Sequence, residues 1–266
     1  MFPVLPVVLY FDDKMSSNNI QIEKRGNLSV LRIDRAPANA IDLALAGELE
    51  SALAAIEDDG HTGALVLTGA GSCFSAGLDL KAVPTYSHAE QEAMVMQVNR
   101  LFGRLYGLRV PTVAAVNGHS IAGGLILTLA CDYRIGAEGD YKLGLAEMRV
   151  GVPYPVAAMA IVQSELSKPV ARMMVLTARN SNPQEAYSQG ILDKLEPSQS
   201  LLSRAIETAE ELAALPRAMY GRIKRQLRAH ALTRIDDAIS NRNEPMLDSW
   251  LSDETRQASA DALKRT

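Results

Sequence analysis

Two short stretches hold residues that do chemistry through the backbone alone. In "NGHSIAGGLILTLACD" (117–132) two adjacent glycines, Gly123 and Gly124, head an apolar run that ends at Asp132. Glycine inside a helix costs roughly 1 kcal/mol relative to alanine, so a pair there needs a reason. One reason is a tight turn or a close approach to a neighbour. The other is a helix N-terminus whose bare N–H groups receive negative charge. In "GSCFSAGLDLK" (71–81) the small residues Ser75, Ala76 and Gly77 let the backbone come close to something. A positive φ at Gly77 would aim the Leu78 N–H outward, although an ordinary strand-to-helix loop reads the same way. Two such donors converging from different loops would form an oxyanion hole for a carbonyl oxygen gaining negative charge.

Donors of this kind must be held by regular elements. "LSVLRID" (28–34), "GALVLTG" (63–69), "TVAAVNG" (112–118) and "YRIGA" (133–137) read as short strands. "LALAGELESALAAIEDD" (43–59) has apolar residues at helical spacing, and a second helix follows the glycine pair. Strand–helix alternation of this kind predicts an α/β arrangement with a largely parallel sheet. From about Ser164 the pattern predicts helices only. Pro183 and Pro216 fit first-turn positions, with Asn182 as the cap before Pro183. Such a tail either packs back on the α/β core or makes an oligomer interface.

A chain of 266 residues forms one large domain or two small ones, and 47% apolar content supports a sizeable core. A net charge of −4 gives no support for nucleic-acid binding. Cys73 and Cys131 each lie in an apolar stretch, which points to a reducing compartment without disulfides; a cytoplasmic location is expected. The first residues, "MFPVLPVVLYFDDK", lack a basic n-region and are too short to cross a bilayer. Residues 1–18 are therefore expected to be a disordered extension outside the core. No Cys/His/carboxylate cluster has metal-ligand spacing, and no Ser–His–Asp arrangement, phosphate loop or nicotinamide fingerprint occurs. The five basic residues of "PRAMYGRIKRQLR" (216–228) read as a solvated helical face rather than a membrane or nucleic-acid surface.

Taken together and in this order, "FSAGLDLK", "AAVNGHSIAGGLILTLACDYRI" and "KLGLAEMRVGVPYP" resemble the crotonase (enoyl-CoA hydratase/isomerase) superfamily over roughly residues 20–260. The pattern is most similar to its Δ3,Δ2-enoyl-CoA isomerases. The resemblance implies a spiral of ββα units over 19–200, then a helical trimerisation region over 201–266. It further implies a homotrimer or homohexamer and an acyl-CoA substrate, with no metal and no cofactor apart from the CoA that arrives within the thioester. By position, the amides of Leu78 and Gly123 would hold the thioester enolate. The backbone near Ala38 and Ala76 would face the CoA adenine. Lys81 would lie near the CoA phosphates, though a solvated surface lysine fits it equally well. The acyl tunnel would be lined from the segment 82–110.

The informative feature is a departure. Hydratases of the family carry two glutamates; here Ile126 occupies the first position and Glu147, in "GLAEMRVG", the second. Adding water across a double bond needs groups that orient and deprotonate it and a proton source for C2. An isoleucine does neither. Shifting a double bond needs one base to take the C2 proton and return it at C4, and burial raises a carboxyl toward the useful range. The expected activity is thus conversion of 3-enoyl-CoA to 2-enoyl-CoA with Glu147 as the proton shuttle. A hydratase and a non-catalytic acyl-CoA-binding homologue are the alternatives. Glu138 and Asp140, in "GAEGDYKL", would restore a second carboxylate if they entered the pocket. His119 reads as a packed histidine shaping the turn, or as a catalytic group.

Overall fold

A computed structural model describes residues 9–11, 14–17 and 19–263. Runs that are apolar on both faces become central strands, because only helices on both sides can bury them. All six residues of "ALVLTG" and all five of "TVAAV" are buried. One sheet holds eight strands in the order β1 (Leu9–Phe11), β2 (Lys14–Ser16), β3 (Ile20–Arg25), β4 (Leu28–Ile33), β5 (Ala64–Gly69), β7 (Thr112–Val116), β9 (Tyr133–Ala137) and β11 (Lys194–Glu196). Pairing is antiparallel from β1 to β4 and parallel from β4 onward, with Val30 opposite Val66 and Leu67 opposite Ala114. A second, three-stranded sheet sets β10 (Leu143–Gly144), β8 (His119–Ile121) and β6 (Cys73–Ser75) side by side in parallel.

The two sheets are built by one repeated move. After β5, β7 and β9 the chain turns, adds a short strand to the second sheet and enters a helix. The helices are α2 (His88–Gly107), α3 (Gly123–Ala130) and α4 (Glu147–Val150). α1 (Leu43–Asp58), capped by the Asp42 carboxylate, packs on α2. The chain continues as α5 (Val156–Glu165), α6 (Lys168–Thr177), α7 (Pro183–Ser188), α8 (Leu201–Ala213), α9 (Arg217–Leu227), α10 (Ala229–Ser240), α11 (Leu247–Trp250) and α12 (Asp253–Leu263). Among the described residues, no helix is long and apolar enough to cross a membrane.

Several expectations need correction. The region beyond Ser164 is not helical throughout, since β11 pairs in parallel with β9. Asp193 causes this: its N–H donates to the Arg134 carbonyl while its carboxylate takes the Arg134 N–H and guanidinium. Within the expected extension, residues 9–11 and 14–16 pair as antiparallel strands that continue the sheet beyond β3, with Met15 opposite Ile22. An uncovered strand edge readily takes such an addition. Residues 1–8, 12, 13 and 18 lie outside the described residues. Pro183 sits in the first turn of α7 behind an Asn182–Glu185 capping box, whereas Pro216 is the residue before α9.

The basic segment 216–228 is only partly solvated. Lys224 and Arg228 are buried because Asp132, just before β9, draws both inward at 2.9 and 2.8 Å. Arg228 also lies 4.0 Å over the Tyr106 ring and donates to the Tyr106 and Ala130 carbonyls. This buried cluster fastens the C-terminal helices to the α/β layers.

Candidate active site

Leu78 follows β6, Gly123 follows β8 and Glu147 follows β10. These three strands are neighbours, so the repeated turn places three chemically distinct groups in one row. Leu78, Gly123 and Glu147 line a single cavity of about 110 Å³.

Each donor is aimed by its own local structure. The Ile41 N–H donates to the Gly77 carbonyl at 2.7 Å and the Asp79 N–H to the Ile41 carbonyl at 2.9 Å. This bridge uses the groups on either side of Leu78 and turns the Leu78 N–H away from Ile41. Gly77 has φ +80°, and a β-carbon there would lie 2.9 Å from the Gly123 nitrogen. Gly123 opens α3, so no intrahelical carbonyl reaches its N–H. Before it, Ala122 holds φ 51° and ψ −123°, a conformation suited to glycine, and its N–H bonds the Gly144 carbonyl at 2.7 Å. Such backbone strain is of order 1–3 kcal/mol and persists only where the surroundings enforce it. Behind the donors, the Asn39 side-chain amide holds the carbonyls of Ala70 and Cys73, and the Ser75 hydroxyl donates to the Asn39 carbonyl.

The two glycines have different jobs. A β-carbon on Gly124 would fall 2.2 Å from the Ser75 carbonyl oxygen, whereas one on Gly123 would make ordinary contacts of 3.5–3.7 Å. Gly124 is there for close packing. Gly123 is not required by space.

Glu147 is 8% exposed, and its Oε2 is buried without a hydrogen-bond partner among the described residues; the same holds for the Tyr154 hydroxyl. Burial pushes the Glu147 carboxyl up to about 7, with nearby backbone amides and the adjacent Tyr154 hydroxyl offsetting part of the rise. Among the residues that line the cavity, Glu147 is the one ionisable group. Ile126, one turn into α3, is fully buried and contributes hydrocarbon to the same wall.

Other predicted residues fall in distinct places. Ala76 lines the cavity and donates its N–H to the Ala38 carbonyl at 3.0 Å, which joins the two stretches expected near the adenine. Lys81 is exposed and outside the cavity wall, beyond the Asp79 turn that Arg35 anchors at 2.9 Å. Glu138 and Asp140 are exposed between β9 and β10, so neither supplies a second acid. His119 accepts the Lys142 N–H at 3.2 Å and meets Tyr141 edge-on, which is a packing role. The segment 82–110 does line the cavity, through Val98 and Phe102 of α2. Sequence reasoning left Tyr154 and Trp250 without a role. Tyr154 is in the quoted "GVPYP", and Trp250 is the chain's single tryptophan.

A model of the family described as "Enoyl-CoA hydratase/isomerase" matches residues 23–265. The chain belongs to this family. The enoyl-CoA hydratase/isomerase fold is shared with human mitochondrial Δ3-Δ2-enoyl-CoA isomerase, which matches with a TM-score of 0.86 at 26% identity, covering 93% of this chain and 98% of that one. An enoyl-CoA isomerase of Mycobacterium tuberculosis matches with a TM-score of 0.79 at 28% identity, over 88% of this chain and 99% of the other. A putative enoyl-CoA hydratase of Thermus thermophilus is 34% identical over 198 residues, 73% of this chain and 77% of the relative. The α/β crotonase fold expected from sequence is thus the observed one.

Proposed function

We propose that this member of the family isomerises 3-enoyl-CoA to 2-enoyl-CoA. The observation that carries the reading is a single buried carboxyl, Glu147, whose Oε2 has no hydrogen-bond partner among the described residues, in a cavity that Ile126 also lines. The thioester oxygen lies on the Leu78 and Gly123 amides, which favour the enolate over the neutral carbonyl. Ionised Glu147 takes the C2 proton, the electron pair moves through C2–C3 as C3–C4 becomes single, and the same carboxyl returns the proton to C4. Atoms and charge balance with no further reactant. The CoA arrives and leaves as part of the thioester, its adenine against the Ala38–Ala76 backbone. Apolar walls keep water from the enolate and raise the basicity of Glu147.

Hydration is the competing reading, favoured by similar proteins that carry the hydratase name. It requires a second group to hold water, and the cavity wall offers hydrocarbon there. The two are separated by supplying 3-hexenoyl-CoA and crotonyl-CoA to the same preparation. Isomerisation without hydration is expected, with Glu147→Gln lowering isomerase turnover roughly 10²–10⁴-fold. Hydration of crotonyl-CoA at a comparable rate, or full isomerase turnover by E147Q, would overturn the assignment.

We also propose a homotrimeric assembly through the C-terminal helices. Leu215, Met219, Ile223 and Leu227, spaced four apart along and just before α9, are 48–84% exposed. A stripe of that kind is the usual mark of a surface that another chain covers.

A further inference from the structure

The cavity has a floor that the family's chemistry does not account for. Trp250, at the end of α11, is 3% exposed and walls the main cavity, together with Phe102 and Val98 from α2. A second, smaller space of about 20 Å³ lies against the same wall. It shares Leu78, Leu80, Val152 and Trp250 with the main cavity, and adds Gln91, Thr255 and Ser259. Neither Ala76 nor Gly123 borders it. Of the four shared residues, Trp250 is by far the bulkiest. Beyond the smaller space α12 is tied to α4, where Ser259 donates to the Val150 carbonyl at 3.2 Å. A second tie lies just before α11. The buried Glu244 accepts from Asn99 of α2 at 2.7 Å and from the N–H of Val156 at 2.9 Å.

We propose that Trp250 is the specificity-determining partition of the acyl pocket: it caps the length of acyl chain that the main cavity accepts and walls off the smaller space beyond. This rests on the acyl-CoA reading above. The volume decides the length. About 110 Å³ is well below the roughly 300–1,000 Å³ of ordinary small-molecule sites. On this measure a water-sized group takes roughly 10–15 Å³, so the cavity holds on the order of ten such groups, fewer than a dodecanoyl chain brings. A longer chain meets the indole, which is buried at the end of α11. Removing the ring joins the two spaces.

The test is binding, so it does not depend on which reaction the enzyme performs. Saturated butyryl-, hexanoyl-, octanoyl- and dodecanoyl-CoA, with free CoA as the reference, are titrated calorimetrically into the full chain, into Trp250→Ala and into Trp250→Phe. The wild type is expected to bind dodecanoyl-CoA on the order of tenfold more weakly than butyryl-CoA. In W250A the ratio of dodecanoyl to butyryl affinity rises roughly tenfold, with W250F in between. In the unsubstituted chain, emission from the single tryptophan shifts with the acyl thioesters and not with free CoA, so the proposal stands testable even if W250A fails to fold. Equal affinity of the wild type for all four chains, or an equal loss across chain lengths in both variants, overturns the partition alone. Failure of every thioester to bind overturns the acyl-CoA reading and the partition with it.

Discussion

A single carboxyl that titrates near neutrality couples activity and stability in opposite directions. Glu147 works as a base only when ionised, so the kcat/KM of the proposed isomerase should climb through about pH 7 and then level off. The effect on stability has the other sign. The folded value is about 7 against an ordinary carboxyl value of 4.5, so the unfolded chain gives up its proton first. Between those values rising pH destabilises the fold, and above them a cost of about 3 kcal/mol remains, as follows from the size of the shift. Glu147→Gln should therefore melt higher than the wild type near pH 8, with the difference vanishing below about pH 4.5, as thermal unfolding at the two pH values will show. A variant that is sturdier and inactive at once would mark Glu147 as a residue kept for chemistry at the expense of the fold. Equal melting at both pH values would place the carboxyl in water.

At the scale of the element, the glycine pair separates packing from chemistry. Gly124→Ala would drive a β-carbon into the Ser75 carbonyl, and overpacking of this kind costs typically 1–3 kcal/mol. Gly123→Ala has room for its methyl and should change stability much less. Urea denaturation of the two variants distinguishes them; equal losses would contradict the packing account. The same element shows what a sequence displays and what it hides. β5, β7 and α3 were legible because burial on every side forces a dense apolar run, and β4 and β9 because short apolar stretches are bounded by turn residues. β6, β8 and β10 were not, since two or three residues are too few to show a period, and they exist because neighbouring strands hold them. α2 fell in a segment left unassigned, although Ser87 and Glu90 form a capping box and its apolar residues recur at helical spacing. β11 was missed because a pairing to β9 made by Asp193 leaves no trace in local composition. Leu78, Gly123 and Glu147 could be marked from motifs, whereas Trp250 reaches the cavity only through the path of the C-terminal helices.

For the molecule as a whole, the α/β layers and the helical tail are joined by a set of polar ties, of which the one around Asp132 is nearly buried. Asp132 meets Lys224, Arg228 and the Tyr220 hydroxyl within 3.0 Å, and all but Tyr220 are nearly buried. Asp132→Asn keeps the shape but takes the carboxylate from Lys224 and leaves Arg228 with Glu165 alone, at 3.4 Å. Breaking a buried pair in this way costs about 3–5 kcal/mol, and a matching fall in the urea midpoint is expected. An unchanged midpoint would show that the Asp132 charge is not what docks the tail. The exposed stripe on α9 makes a separate prediction. Ile223→Asp should shift the assembled protein to monomer in light scattering while leaving its circular dichroism intact, and an unaltered mass would exclude this face from the proposed interface. Trp250 reaches the cavity from the helical tail, whereas residues 78, 123 and 147 come from the α/β layers. The pocket is therefore shared between two parts of the fold, and an undocked tail would admit water to the wall around Glu147 while the sheet still stands.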